Sequence, residues 1–298
     1  MKQDFHMHSC YSNDGEFSPK ELCELAQKNN CSIIALTDHN SVYGVDEMIE
    51  EADKLGIQVI PGIEIDTEFE GIDFHLTVYG MDYNDPRYEA ITIYYTELER
   101  KTSKEALSLF EEHFDVFIDR MDLMRIEKDG ILVPEDLGDY LLNNPKYDDA
   151  EFLKEYRAGA SRSDNPYLNF YLDYFAQGKV AYVKDKKIDI DSILEMVEET
   201  QGIAVVAHPG HNFNGHFDVL QKLLDKPQIK GIEAYSNYHT EEMTRTFLEY
   251  AKTRDLVVTC GSDFHGKNKP AIQLGQIKFV PDDFESGLVD LVKVNFKD

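Results

Sequence analysis

Residues 4–15 read DFHMHSCYSNDG, and within that stretch Phe5 and Met7 alternate with Asp4, His6 and His8. A period of two predicts a half-buried strand, on which residues two apart project from one face. His6 and His8 would then present two imidazole nitrogens side by side, an arrangement suited to a divalent metal ion. A lone His-x-His pair is also the pattern of two polar residues on a solvated strand face. Its meaning therefore depends on what the rest of the chain places beside it.

Working outward, Ser18-Pro19-Lys20-Glu21 predicts a helix start with a capping box and Pro at the first helical position, and Leu22, Leu25 and Ala26 supply its apolar stripe. A strand over 33–36 follows. Asn40 or Ser41 is expected to cap a helix running to about residue 54, Gly56 ends it, and 58–65 is strand-like. From Tyr83 the texture changes. Residues 87–113 have helical periodicity, and segments rich in Asp, Glu and Tyr run on to about Gly178, with another helix opening at Asn165-Pro166. Few β-branched runs occur there, so 83–182 reads as a mostly helical insertion between 1–82 and 183–298. The tyrosines at 94 and 95 and the aromatic run 167–175 fit the core of that insertion. Alternation then resumes with a helix over 191–200, strands over 203–207 and 229–235, a helix over 241–252 and a strand over 256–260. This is the rhythm of a parallel α/β barrel.

The chain has 298 residues, ample for a sizeable core. Its 57 acidic against 30 basic side chains give a formal charge of −27. So acidic a surface repels polyanions, which argues against long nucleic acid and anionic membranes as partners. A small phosphorylated ligand stays open, because bound cations would dominate the local field. Cys10, Cys23, Cys31 and Cys260 form no Cys-x-x-Cys pair and read as reduced thiols, Cys10 as a loop residue. With no basic-then-apolar leader and only strand-length aliphatic runs, a cytoplasmic protein is expected. No obligate protein partner is evident.

In such barrels the reactive groups gather where strands end. His6 and His8 close the first strand here, and Thr37-Asp38-His39 follows the second. Gly62-Ile63-Glu64 follows Val59-Ile60, His75 lies in Asp73-Phe74-His75-Leu76-Thr77-Val78, His208-Pro209-Gly210 follows 204–207, and Gly261-Ser262-Asp263-Phe264-His265-Gly266 follows 257–260. One such histidine means little. So many His and carboxylate residues at matching places are what a transition-metal or zinc centre requires.

These motifs, His6-Met7-His8-Ser9, Thr37-Asp38-His39, Pro61-Gly62-Ile63-Glu64, Ala207-His208-Pro209-Gly210 and the run 261–266, resemble in order those of the PHP (polymerase and histidinol phosphatase) superfamily of metal-dependent phosphoesterases. The resemblance implies a distorted seven-stranded β/α barrel holding three divalent ions, with Mn, Fe and Zn all compatible with the donors. It implies that His6, His8, Glu64 and Asp263 hold the first, that Asp14, His39 and His265 hold the second, and that His75 and His208 share Glu64 at the third. Glu64 and Asp263 thereby become catalytic candidates. Members that begin this way commonly have Ser-Asp-Gly five residues after the second His, where this chain has Asn13. Gly15 and Pro19 keep their separation, so Asp14 is taken as the ligand after a one-residue insertion.

The resemblance further implies phosphoester hydrolysis through a metal-bridged hydroxide. By its helical insertion the chain resembles the branch that includes nucleoside 3′,5′-bisphosphate phosphatases. The expected substrate is a small nucleotide, either such a bisphosphate or the end of a short oligoribonucleotide, with histidinol phosphate as the alternative inside the family. A non-catalytic metal-binding regulatory module is the alternative outside enzymes. An amidohydrolase would instead call for a lone Asp on the last strand and a bridging carboxylated Lys. Two further residues are open. Arg162, before a helix, either forks onto a substrate phosphate or makes a surface ion pair. His239, after a strand, either protonates the leaving oxygen and touches substrate or supports a loop. His211 and His216 read as loop residues and His113 as a surface helix residue.

Overall fold

The computed structural model describes residues 2–295. Its elements run β1 (Lys2–Asp4), α1 (Pro19–Lys28), β2 (Cys31–Leu36), α2 (Val45–Leu55), β3 (Gln58–Phe69), β4 (Ile72–Tyr79) and α3 (Pro86–Phe114). Then come α4 (Arg120–Ile126), α5 (Pro134–Asn143), α6 (Pro166–Tyr174), α7 (Ile190–Glu199), β5 (Ile203–Val206), α8 (Pro209–Asn212), α9 (Phe217–Leu224), β6 (Ile229–Ser236), α10 (Glu241–Arg254), β7 (Val257–Gly261) and α11 (Leu288–Asn295). The capping box expected at Ser18 is formed, with Ser18 Oγ accepting from Glu21 N and the Glu21 carboxylate accepting from Ser18 N.

Seven strands form one sheet in sequential order. Backbone bonds past the end of β1 close it, from Phe5 N to Cys260 O at 3.0 Å, Asp263 N to His6 O at 2.9 Å and His8 N to Phe264 O at 2.9 Å. A closed barrel leaves no edge strand exposed. Two corrections to the reading above follow. The sheet is mixed, because β4 runs antiparallel to both β3 and β5. The physical reason is the turn at Glu70-Gly71, where both residues have positive φ (48° and 82°) and turn β3 straight back into β4, leaving no room for a crossover helix. The first segment is also not half-buried: Asp4, His6 and His8 are as fully buried as Phe5 and Met7. Its alternation separates the barrel interior from the layer of helices, and neither side faces water.

Nor do Asn40 and Ser41 cap α2, which starts from Gly44 without a side-chain cap. Asn40, at φ 53°, uses its side chain elsewhere. Its Nδ2 donates to Asp66 Oδ2 at 3.1 Å and its Oδ1 accepts from Asp66 N at 3.0 Å, tying the end of β2 to β3.

The chain divides into two compact units, one made of 1–92, 187–264 and 272–298, the other of 93–186 with 265–271. The first two turns of α3 stay with the barrel unit, because Tyr88 bonds Thr200 Oγ1 at 2.8 Å and Thr92 Oγ1 donates to Asn40 O at 2.7 Å. The second unit has its own core around Phe110, Leu137, Leu153 and Phe170. Aromatic rings dominate it: Phe110 lies 5.5 Å from Phe170 and 5.4 Å from Phe175, centroid to centroid. Tyr95 is buried while Tyr94 faces outward. Among the described residues no helix is long and apolar enough to cross a membrane.

Candidate metal centre

Glu64 and His75 project from within β3 and β4, and the other donors lie in the segments that follow strands. Thr37 N bonds Met7 O at 3.0 Å, and the β2–β3 ladder continues past its ends through a bridge between His39 and Glu64. The loop from His8 to Asp14 is folded back by buried Asp38, whose two oxygens accept from Ser9 N at 2.6 Å and Ser9 Oγ at 2.7 Å. Burial raises the Asp38 carboxyl to about 6. Gly15 makes that loop possible, since a Cβ there would fall 1.9 Å from Ser9 O. Ser12 Oγ accepts from the His39 main-chain N at 2.7 Å and lies 3.1 Å from His8 Nδ1, so one hydroxyl ties the His39 backbone to the His8 ring.

The carboxylate of Glu64, fully buried, is the hub. Its Oε2 lies 3.0 Å from His6 Nε2, 3.1 Å from His8 Nε2 and 3.4 Å from His39 Nδ1. Its Oε1 lies 2.9 Å from His208 Nε2 and 3.1 Å from His75 Nδ1. Asp263 Oδ1 stands across from it, 3.3 Å from His6 Nε2 and 3.1 Å from His8 Nε2. Asp14 Oδ2 is 3.7 Å from His39 Nε2. Donor atoms within 4.8 Å of one another fall into sets: His6, Glu64, His208 and Asp263; His39, Glu64 and His75; and a set containing His8, Asp14 and His39. By proximity His208 therefore joins His6 and Asp263 as readily as it joins His75. Through Glu64 Oε1, His75 and His208 also meet on one oxygen, as the expected third group does.

His208 and Asp263 both have left-handed backbones, at φ 23° and 57°. Non-glycine residues in that region carry strain of about 1 kcal/mol or more, and such strain collects at functional sites.

The field of the centre favours positive charge. Burial alone would push the His6 imidazole down, yet Glu64, Glu233 and Asp263 hold it well above its ordinary value. Burial likewise opposes ionisation of Glu64, and the surrounding His6, His75 and His39 hold it well below the usual carboxylate range. Interleaved nitrogen and oxygen lone pairs in a dry pocket, with a net pull on cations, fit divalent transition ions.

Two further expectations meet a different geometry. His239 is buried, its Nδ1 donates to Ala234 O at 2.9 Å, and its Nε2 accepts from Gly210 N at 3.1 Å. Burial lowers it to about 4. A neutral ring with both nitrogens on the main chain has no proton to deliver to a leaving group, so His239 pins the His208-Pro209-Gly210 turn and the donor role is corrected. Arg162 makes a two-pronged pair with Asp173, Nε to Oδ2 at 2.9 Å and Nη2 to Oδ1 at 2.8 Å, inside the second unit. His265 is buried and opens the short segment 265–271 that belongs to the second unit.

Two contacts have no counterpart in the sequence reading. Tyr238 donates to Asp263 Oδ2 at 2.5 Å, and Glu233 Oε2 lies 2.8 Å from His6 Nδ1. Both come from β6 or just beyond it. The sequence signal is a Glu set directly between two apolar strand residues, Ile232-Glu233-Ala234.

The PHP domain family matches residues 4–253. This chain belongs to the PHP family. Among its PHP relatives is a 5′-3′ exoribonuclease of Haemophilus influenzae, 30% identical over 89% of this chain and 90% of its own length. Another is a 3′,5′-nucleoside bisphosphate phosphatase of Chromobacterium violaceum, 24% identical over 93% of this chain and 92% of its own. A solved amidohydrolase structure from Chromobacterium violaceum with bound sulfate and no metal shares the fold, with a TM-score of 0.80 at 22% identity over 98% of this chain and 96% of that one. The matched span contains His6, His8, His39, Glu64 and His208, and the four imidazoles meet at the Glu64 carboxylate.

Proposed function

We propose that this chain hydrolyses a phosphoester of a small nucleotide, either a nucleoside 3′,5′-bisphosphate or the 5′ end of a short oligoribonucleotide. One observation carries the reading: the imidazoles of His6, His8, His39, His75 and His208 all reach the single buried carboxylate of Glu64 within 3.4 Å. Ring nitrogens are spent on a carboxylate in this density where cations are to be held. The named activities of both curated relatives are phosphoester hydrolysis, which agrees with it.

Divalent ions bound here supply Lewis acidity to phosphoryl oxygens and lower the pKa of water near neutral. The chain's own residues do the rest. His6, His8, Glu64 and Asp263 would hold one ion, His75 and His208 with Glu64 a second, and Asp14 and His39 a third. His265, two residues beyond Asp263 in the chain, joins that last group. His75, His39 and Asp66 keep 30%, 18% and 21% of their side chains exposed, whereas His6 and His8 are sealed. Substrate therefore approaches from the His39 and His75 side, and the sealed side excludes bulk water. Three dications are the stoichiometry this ligand set supports. Arg162 is a substrate contact only where a phosphate displaces the Asp173 carboxylate. The surplus of acid over base favours short substrates, since long RNA needs a basic track.

The test is phosphate release from Mn-loaded protein offered nucleoside 5′-monophosphates, 3′,5′-bisphosphates, short oligoribonucleotides and histidinol phosphate. Release from the bisphosphates or oligoribonucleotides is expected. Asp263→Ala and His208→Ala are expected to bind less metal and lose release while keeping their circular dichroism. Full turnover in either variant overturns the assignment.

A further inference from the structure

Glu233 lies in the middle of β6, fully buried, and it belongs to none of the three donor sets found among the described residues. Its Oε2 meets His6 Nδ1 at 2.8 Å, on the side of the ring opposite the donors Glu64 and Asp263. Its Oε1 has no hydrogen-bond partner among the described residues. The space for this pair is made by Gly261 on the neighbouring strand. A Cβ at 261 would stand 2.2 Å from His6 Cβ and 2.8 Å from Glu233 Oε2. Strand β7 is thus bare where the pair packs against it.

We infer that Glu233 is a positioning residue that holds His6 as a metal ligand through Nε2. The inference rests on the reading of the centre given above and adds to it. A carboxylate can only accept, so the ring proton must sit on Nδ1. The Nε2 lone pair is then left facing Glu64 and Asp263, at 3.0 and 3.3 Å. One proton shift and one rotation are prevented together: the tautomer is set and the ring cannot flip, because a flip would aim a C–H at the carboxylate. A carboxylate behind a histidine also makes the ring a stronger donor to a cation, and loss of such a partner typically lowers metal affinity about 10–100-fold. Glu233 offers nothing else to explain burying a carboxylate in a strand whose neighbours are Ile232 and Ala234.

Glu233→Gln keeps the shape and one acceptor but removes the charge, and its amide can turn to donate to Nδ1, which puts the proton on the wrong nitrogen. Glu233→Asp keeps the charge and shortens the reach by one methylene. The measurement is Mn²⁺ binding by titration calorimetry on the metal-stripped full chain, with melting temperature recorded with and without Mn²⁺. The parent is expected to bind, Glu233→Gln to bind one ion about 10–100-fold more weakly, and Glu233→Asp to fall between. The metal-free melting temperatures should stay close while the Mn²⁺-induced rise shrinks in both variants. A residue that only fills the core would do the reverse, lowering the metal-free melting temperature with affinity unchanged. Affinity within about twofold of the parent in both variants overturns the inference and leaves the centre standing. A parent that binds no Mn²⁺ overturns the reading of the centre itself, and the inference with it.

Discussion

The hydroxyl of Tyr238 donates to Asp263 Oδ2 at 2.5 Å while the other oxygen of that carboxylate faces His6 and His8. Asp263 has a left-handed backbone, and this bond decides which oxygen turns toward the imidazoles. The Tyr238 ring also lies 5.6 Å from that of His208 and 4.9 Å from that of His211.

Tyr238→Phe keeps those ring contacts and deletes only the hydroxyl. The expected result is a fall in kcat of about tenfold or more, by analogy with other supporting groups around metals, with an unchanged far-UV spectrum. Steady-state phosphate release checks it. Wild-type kcat in the variant would show that the bond does not orient Asp263.

Metal removal should destabilise the fold as well as silence it, because Glu64 and Asp263 are buried at the barrel mouth among imidazoles. Saturating Mn²⁺ at a hundred times its Kd contributes about 2.7 kcal/mol. In a domain of this size that corresponds to a rise in Tm of roughly 5–10 °C over the EDTA-treated protein. Differential scanning fluorimetry reads it directly. A Tm indifferent to EDTA and to added Mn²⁺ would contradict the centre.

The thiols should differ in reactivity. Burial pushes Cys23 and Cys31 up to about 12, and Cys260 well above its ordinary value, so at pH 8 only about one in ten thousand of the first two is thiolate. Cys10 lies partly exposed in the loop between His8 and Asp14. Iodoacetamide on the native protein is expected to label Cys10, with the other three labelled only in denaturant, as peptide mass spectrometry would show. Native labelling of Cys23 at the rate of Cys10 would contradict the packing of α1 against α2.

Much of this was legible because metal chemistry constrains residue type. A barrel brings strand ends to one mouth, so His6, His8, His39, Glu64, His208 and Asp263 could be picked out by their position after apolar runs. Their convergence needs no side-chain detail to anticipate. The direction of β4 was not legible, because residues 72–79 alternate equally well in either direction and only the left-handed turn at Glu70-Gly71 reverses the chain. His239 looked as reactive in sequence as His208. What separates them is the main chain, since Ala234 O and Gly210 N take both nitrogens of His239.

By itself, then, the sequence determined which His and carboxylate side chains cluster on and after strands, and that acid outnumbers base 57 to 30. Those follow from local pattern and from charge, which need no coordinates. Only the tertiary structure decided which oxygen of Glu64 each imidazole meets, that Glu233 stands behind His6, and that Tyr238 steers Asp263. These depend on register between β6, β7 and the segment after β1, residues more than 200 positions apart in the case of His6 and Glu233. Pairing over such separations is set by how the barrel closes, and no local spacing encodes it.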